Sequence, residues 1–173
     1  ARTDWVMRNG TGRNTSEGVE FNANWKPMNS KFGLNFGYTF TDSYDANTCD
    51  PDELGSYADN ECRLTGNKVI KAKVRVPKHA VETNIDYLIN QNLKSSLRGK
   101  YIGETRDFGN TNDSWTDQIL TDYFVFDLVN SYNLFDNYKI QIGINNIFDE
   151  KYQQAHEYST MGRSFNFGIR RVY

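Results

Sequence analysis

Hydrophobic and polar residues alternate one by one along much of this chain. Ile140, Ile142 and Ile144 interleave with Lys139, Gln141, Gly143 and Asn145. Phe165, Phe167, Ile169 and Tyr173 interleave with Ser164, Asn166, Gly168 and Arg170. Successive residues of a β-strand point to opposite faces, so each stretch makes a ribbon with one greasy side and one wet side. The same period recurs at 17–26 (Val19, Phe21, Ala23, Trp25), 31–42 (Phe32, Leu34, Phe36, Tyr38, Phe40) and 79–90 (Val81, Thr83, Ile85, Tyr87). It continues at 93–105 and, with a less clean split, at 121–132. A weak strand at 2–8 and the stretches 138–148 and 162–173 bring the expected number of strands to eight. No segment carries a helical period worth assigning.

The connections sharpen the picture. Pro27–Ser30, Gln91–Asn92 and Leu134–Asn137 are short; 43–78, 106–120 and 149–161 are long and polar. Short and long alternate strictly, as do the turns and outer loops of a membrane β-barrel. The pattern predicts an all-β, antiparallel transmembrane barrel wall of about eight strands over residues 1–173. Odd strands would run outward and the C-terminus would lie in the periplasm. A soluble antiparallel sandwich also alternates. Against it stand aromatics near strand ends (Trp25, Tyr132, Tyr138, Tyr173), where an interfacial girdle belongs. Glu82, Asp86, Arg98 and Lys100, in mid-strand on the polar faces, point the same way but suit a solvated sandwich face too.

Composition narrows the classes. Of 173 residues, 38% are hydrophobic, low for a large dry core, and mean hydropathy is -0.74. No run reaches the ~20 apolar residues of a spanning helix, which excludes helical membrane proteins only. Eleven Tyr, eleven Phe and three Trp with three Pro suit strands. A net charge of -2 shows no nucleic-acid footprint. The chain opens ARTDWVM, with neither initiator Met nor signal peptide, and is expected to be a piece of a longer protein. No nucleophile elbow, zinc helix or phosphate-cradling loop is present, so no enzyme is expected. No cofactor is implied.

Asn145-Asn146-Ile147-Phe148-Asp149-Glu150-Lys151-Tyr152, then Gly162-Arg163 and an aromatic-ended last strand, resemble the C-terminal end of TonB-dependent outer-membrane receptors. Gly18-Val19-Glu20, Pro77-Lys78-His79 and Tyr123 to Asp127 resemble further stretches of that family, in order. The resemblance implies the closing part of a 22-stranded plugged barrel. It also implies energy-coupled import of a scarce large ligand across the outer membrane of a Gram-negative bacterium. The implied partners are outer-membrane lipid, the ligand, and TonB acting through a plug domain not seen in this sequence. Tyr101 to Asp107 resembles the cobalamin receptors slightly more than the siderophore receptors. Phe165, Phe167, Ile169 and Tyr173 would form the membrane-assembly end. Arg171 departs from the family pattern; it faces lipid on this register and would snorkel to headgroups. A self-contained small barrel, a passive pore and a soluble binding sandwich remain alternatives.

Cys49 and Cys62 lie in the longest connection, 43–78. An external loop meets an oxidising environment, and a disulfide there would be worth ~3 kcal/mol in the chain-entropy model. Asp50, Asp52, Gly55 and Glu61 fit positions of a calcium-loop template, but Leu54 occupies a ligand position and flanking helices are absent. An acidic, solvated loop is the plainer reading. Exposed loop aromatics (Tyr57, Phe108, Trp115, Tyr152, Tyr158) are candidate ligand contacts, Trp115 and Tyr158 first. His79 and His156 are read as surface residues rather than a metal pair.

Overall fold

The protein is described from a computed structural model, over residues 13–47, 69–111, 114–135 and 137–171. Twelve strands are found among them: β1 (Arg13–Trp25), β2 (Phe32–Asn47), β3 (Val69–Ala72), β4 (His79–Leu88), β5 (Leu93–Ile102), β6 (Thr105–Thr111), β7 (Ser114–Leu120), β8 (Tyr123–Leu134), β9 (Tyr138–Asn145), β10 (Gln153–Ala155), β11 (Tyr158–Ser159) and β12 (Ser164–Arg171). Seven form one meander in the order β1-β2-β4-β5-β8-β9-β12. These match the stretches read from alternation; the weak strand at 2–8 lies outside the described residues. β6 pairs with β7 and β10 with β11 as separate hairpins. No helix long and apolar enough to cross a membrane occurs among the described residues, which says nothing of crossing by strands.

The register puts every apolar set on one face. Across β2, β4, β5 and β8, Leu34 stands opposite Ile85, Ile85 opposite Leu97, and Leu97 opposite Leu128. Leu128 meets Ile144, and Ile144 meets Phe165. A one-residue slip anywhere would turn a whole strand over, so this continuity is strongly specified. Phe21 packs on Phe36 and Trp25 on Phe32 along the same face. Gly99 belongs to it too, in the narrow space between Phe126 and Thr83, where an added Cβ would stand 2.9 Å from each side chain.

That face is not covered. Phe165 is 74% exposed, Phe167 67%, Ile169 62% and Ile142 52%. Among the described residues the buried hydrophobic side chains are only Leu120 and Tyr123. A soluble sandwich buries such a face, whereas a contiguous exposed apolar surface needs a nonpolar environment. From Phe124 to Tyr132 the apolar positions of β8 cover about 26 Å at ~3.3 Å per residue, near the ~25 Å band of an outer-membrane barrel.

The opposite face is polar and cross-linked. Ser96 donates to Asp86 at 2.6 Å, Lys94 pairs with Asp86 at 3.0 Å, and Lys100 faces Glu82 at 3.7 Å. Arg98 stands opposite Asp127 in the register. At one end the strands join through short turns. Asn90 Oδ1 accepts the amides of Asn92 and Leu93, each at 2.9 Å, and Asn29 and Phe135 take left-handed backbone angles (φ 60° and 53°). Trp25, Tyr87, Tyr132 and Tyr138 rim this end on the apolar face. Arg171, opposite Tyr138, lays its guanidinium 5.8 Å from that ring.

A separate compact unit comprises the described parts of Ala1–Glu17 and Asp42–Lys73. There β2 pairs with β3, Tyr44 opposite Ala72, and the Ser43 hydroxyl donates to the Thr15 carbonyl at 3.3 Å.

Candidate ligand-binding site

The polar face encloses a concavity of about 750 Å³, lined by Asn22, Asn24, Asn35, Glu82, Asn84, Arg98, Lys100 and Asp127. Tyr123, Tyr152 and Gln154 also line it. Tyr123 opens β8, and its ring stacks on Tyr152 with centroids 4.1 Å apart. Tyr123 is buried by this stack and Tyr152 half-buried. The result is an aromatic platform where the polar face meets the long connections.

Two sets of polar ties hold the platform. The first is the turn after β9. Asn146 has φ 50°, a backbone state that Asn tolerates better than most residues. Its amide donates to Asp127 at 2.8 Å, its side-chain NH2 to the Glu150 carbonyl at 2.9 Å, and its Oδ1 accepts the Glu150 amide at 2.8 Å. Asp149 (φ 56°) accepts the Arg163 amide at 2.7 Å and Lys151 Nζ at 3.0 Å. The Arg163 amide first, then Lys151, hold the Asp149 carboxyl below the usual carboxylate range. The Asn-Asn-Ile-Phe-Asp stretch and the later Gly162-Arg163 thus form one closed loop base. β9 ends at Asn145, three residues before the expected boundary, because Asn146 leaves the sheet.

The second set centres on Asp107, which is fully buried. Its Oδ2 accepts the His156 amide at 2.7 Å; its Oδ1 accepts the Phe108 amide at 2.9 Å and Arg75 Nε at 3.0 Å. The Arg75 amide also donates to the Arg106 carbonyl at 2.8 Å. Burial pushes the Asp107 carboxyl upward, but the His156 and Phe108 amides and the Arg75 guanidinium outweigh it, and the net shift is downward. On the other face of the β6–β7 hairpin, Arg106 pairs with Asp117 at 2.9 Å and covers the Phe108 ring at 4.6 Å.

The sequence-derived candidates scatter. Phe108 lies under Arg106, on the hairpin face away from Asp107. Tyr158, in β11, is 73% exposed. Trp115 lies in β7 opposite Asn110. Tyr57, Cys49, Cys62, Asp50, Asp52, Glu61 and Tyr173 lie outside the described residues. Of the loop aromatics among the described residues, Tyr152 lines the concavity. The Nδ1 of His79 meets the Tyr38 hydroxyl at 2.9 Å on the apolar face. Among the described residues no group of three His, Cys, Asp or Glu could hold a metal ion. Asp107 and Arg75 were not singled out from the sequence, and His156, read as a surface residue, is half-buried with its ring packed against Gly109. The one available signal was Asp107, a charged residue inside the Tyr101–Asp107 stretch.

Comparison with known proteins bears on the whole chain. Residues 1–147 match the family described as TonB dependent receptor-like, beta-barrel. No curated protein sequence matches. Among solved structures, the siderophore receptor PiuA from Acinetobacter baumannii is similar with TM-score 0.70 and 22% identity, over 94% of this chain and 22% of that one. The ferric-catecholate import receptor Fiu from K12 E. coli is similar with TM-score 0.69 and 19% identity, over 93% and 21%. The ferripyoverdine receptor of the Pseudomonas aeruginosa outer membrane follows with TM-score 0.66 and 17% identity, over 91% and 19%. The chain thus spans about a fifth of the length of these structures, whose likeness carries the fold. Receptors of this kind are transporters, not enzymes. On the family match and the uncovered apolar face together, the chain belongs to the TonB-dependent receptor β-barrel family.

Proposed function

We propose that this chain forms part of the barrel wall and ligand-capturing loops of an outer-membrane receptor that imports a ferric siderophore. The observation that carries the reading is the stacked Tyr123–Tyr152 platform at the mouth of the polar concavity. Flat, rigid rings with hydroxyl edges suit a ferric chelate with aromatic iron-binding arms. The similar structures named above are described as receptors for ferric catecholates, siderophores and ferripyoverdine, which supports the ligand class. In this reading the apolar face meets lipid, the long connections face outward, and the C-terminus lies in the periplasm of a Gram-negative cell. Import draws energy from TonB. Cys49 and Cys62 pair in the longest outer loop.

Cobalamin gains no support. Within the stretch that favoured it, Tyr101 packs its ring 4.4 Å from Phe124 on the apolar face. Arg106 and Asp107 are engaged with Asp117 and with Arg75, Phe108 and His156.

The test is equilibrium binding to the intact receptor in detergent, read by fluorescence quenching. A ferric tris-catecholate is expected to bind, cyanocobalamin not to compete, and Tyr152→Ala to raise Kd at least tenfold. Tighter binding of cyanocobalamin, or an unchanged Kd in Tyr152→Ala, contradicts the reading.

A further inference from the structure

A carboxylate with no solvent exposure needs a reason to be ionised there. Asp107 has three donors, and they come from separate places along the chain. Phe108 is its own neighbour in β6; Arg75 precedes β4; His156 sits in the turn between β10 and β11. The contact with His156 is close. Its imidazole lies where a Cβ on Gly109 would stand, so any side chain at 109 would have to displace the His156 ring. From His156 the chain runs back through Gln154 to Tyr152, and both of those residues line the concavity. Thr160 returns to the start of this segment, its hydroxyl donating to the Tyr152 carbonyl at 2.7 Å. The segment bearing half of the aromatic platform is therefore held at one end by Tyr123 and at the other by Asp107.

We infer that Asp107 is a positioning residue for ligand capture: it touches no ligand, but fixes the 152–160 segment so that Tyr152 is presented before ligand arrives. The inference rests on the platform being the ligand contact. An anchored platform loses little conformational freedom on binding, and an unanchored one must be ordered at the ligand's expense.

The variant is Asp107→Asn in the intact receptor. It keeps the size of the side chain, removes the charge, and turns one acceptor toward the His156 or Phe108 amide into a donor. Kd for a ferric tris-catecholate is expected to rise about tenfold. Amides of 153–159 are expected to exchange faster, with those of β8 and β9 unchanged, which separates local release from general unfolding. The double variant with Tyr152→Ala is expected to bind no worse than Tyr152→Ala alone, because Asp107 acts through that ring. A merely structural residue would add its own loss. Wild-type affinity in Asp107→Asn, or additive losses in the double variant, overturns the inference. Should wild type itself not bind the tris-catecholate, the siderophore reading fails, and the exchange data still decide: faster 153–159 amides uphold the anchoring, unchanged ones overturn it.

Discussion

The sheet and the loop cluster above it are built on opposite principles. In the sheet, partners are chosen by face: Leu34, Ile85, Leu97, Leu128, Ile144 and Phe165 line up across six strands, and no one of them is special. In the loop cluster, partners are chosen by atom: Asp107 meets three named donors, and Asn146 closes its turn on Glu150 twice. The first arrangement spreads its stability over surface and tolerates apolar exchange. The second concentrates it in a few bonds and should fail one residue at a time.

The loop cluster offers the sharpest single breaks. Asn146→Ala removes two side-chain hydrogen bonds from a buried site and puts Ala at φ 50°. A loss of about 1–3 kcal/mol is expected, read as faster exchange of the Glu150 and Arg163 amides with β9 intact. Asn146→Gly should recover part of it by relieving the backbone. An effect spread evenly through the sheet would mean that the turn is not a separate unit.

A gentler probe is acid. The Asp107 carboxyl lies below its ordinary value in the folded protein. A depressed carboxylate contributes stability that is present in full above the unfolded value of about 3.9, and that is lost as pH falls through the lower folded value. Protection of the 153–159 amides, corrected for intrinsic exchange, should therefore hold down to about pH 4 and decline below it. Asp107→Asn should show no such decline from this group. Loss of protection already near neutral pH would contradict the assignment.

The same contrast explains what could be read from the sequence. One apolar face and one polar face force a period of two, so the seven strands of the meander were legible, with ends misplaced by a few residues, while the four-residue β3 paired on β2 was read as loop. The hairpin β6–β7 had no such pressure. Arg106 and Phe108 share one of its faces and Asp107 and Gly109 the other, so neither is uniformly apolar, and 106–120 reads as a plain loop. The strands β10 and β11, three and two residues long, are below what a pattern can show. The motif around Asn146 and Asp149 was recognisable by resemblance, but its physical content, one side chain closing a turn and another catching the Arg163 amide, needed coordinates. Of the candidate ligand contacts, exposure picked Tyr158 and Trp115; only the fold could show that Tyr152 meets Tyr123.

The central claim is that the continuous apolar face meets hydrocarbon. Ile142 lies on it, in the row with Phe167, and is 52% exposed in the isolated chain; its neighbour Gln141 points to the polar face and donates to Ser131 at 3.1 Å. The direct measurement is the folding free energy of the intact receptor in lipid bilayers for Ile142→Arg and Gln141→Arg. The account predicts a cost of about 2–4 kcal/mol for the first and a small fraction of that for the second. Equal costs, or a greater cost at Gln141, would contradict it.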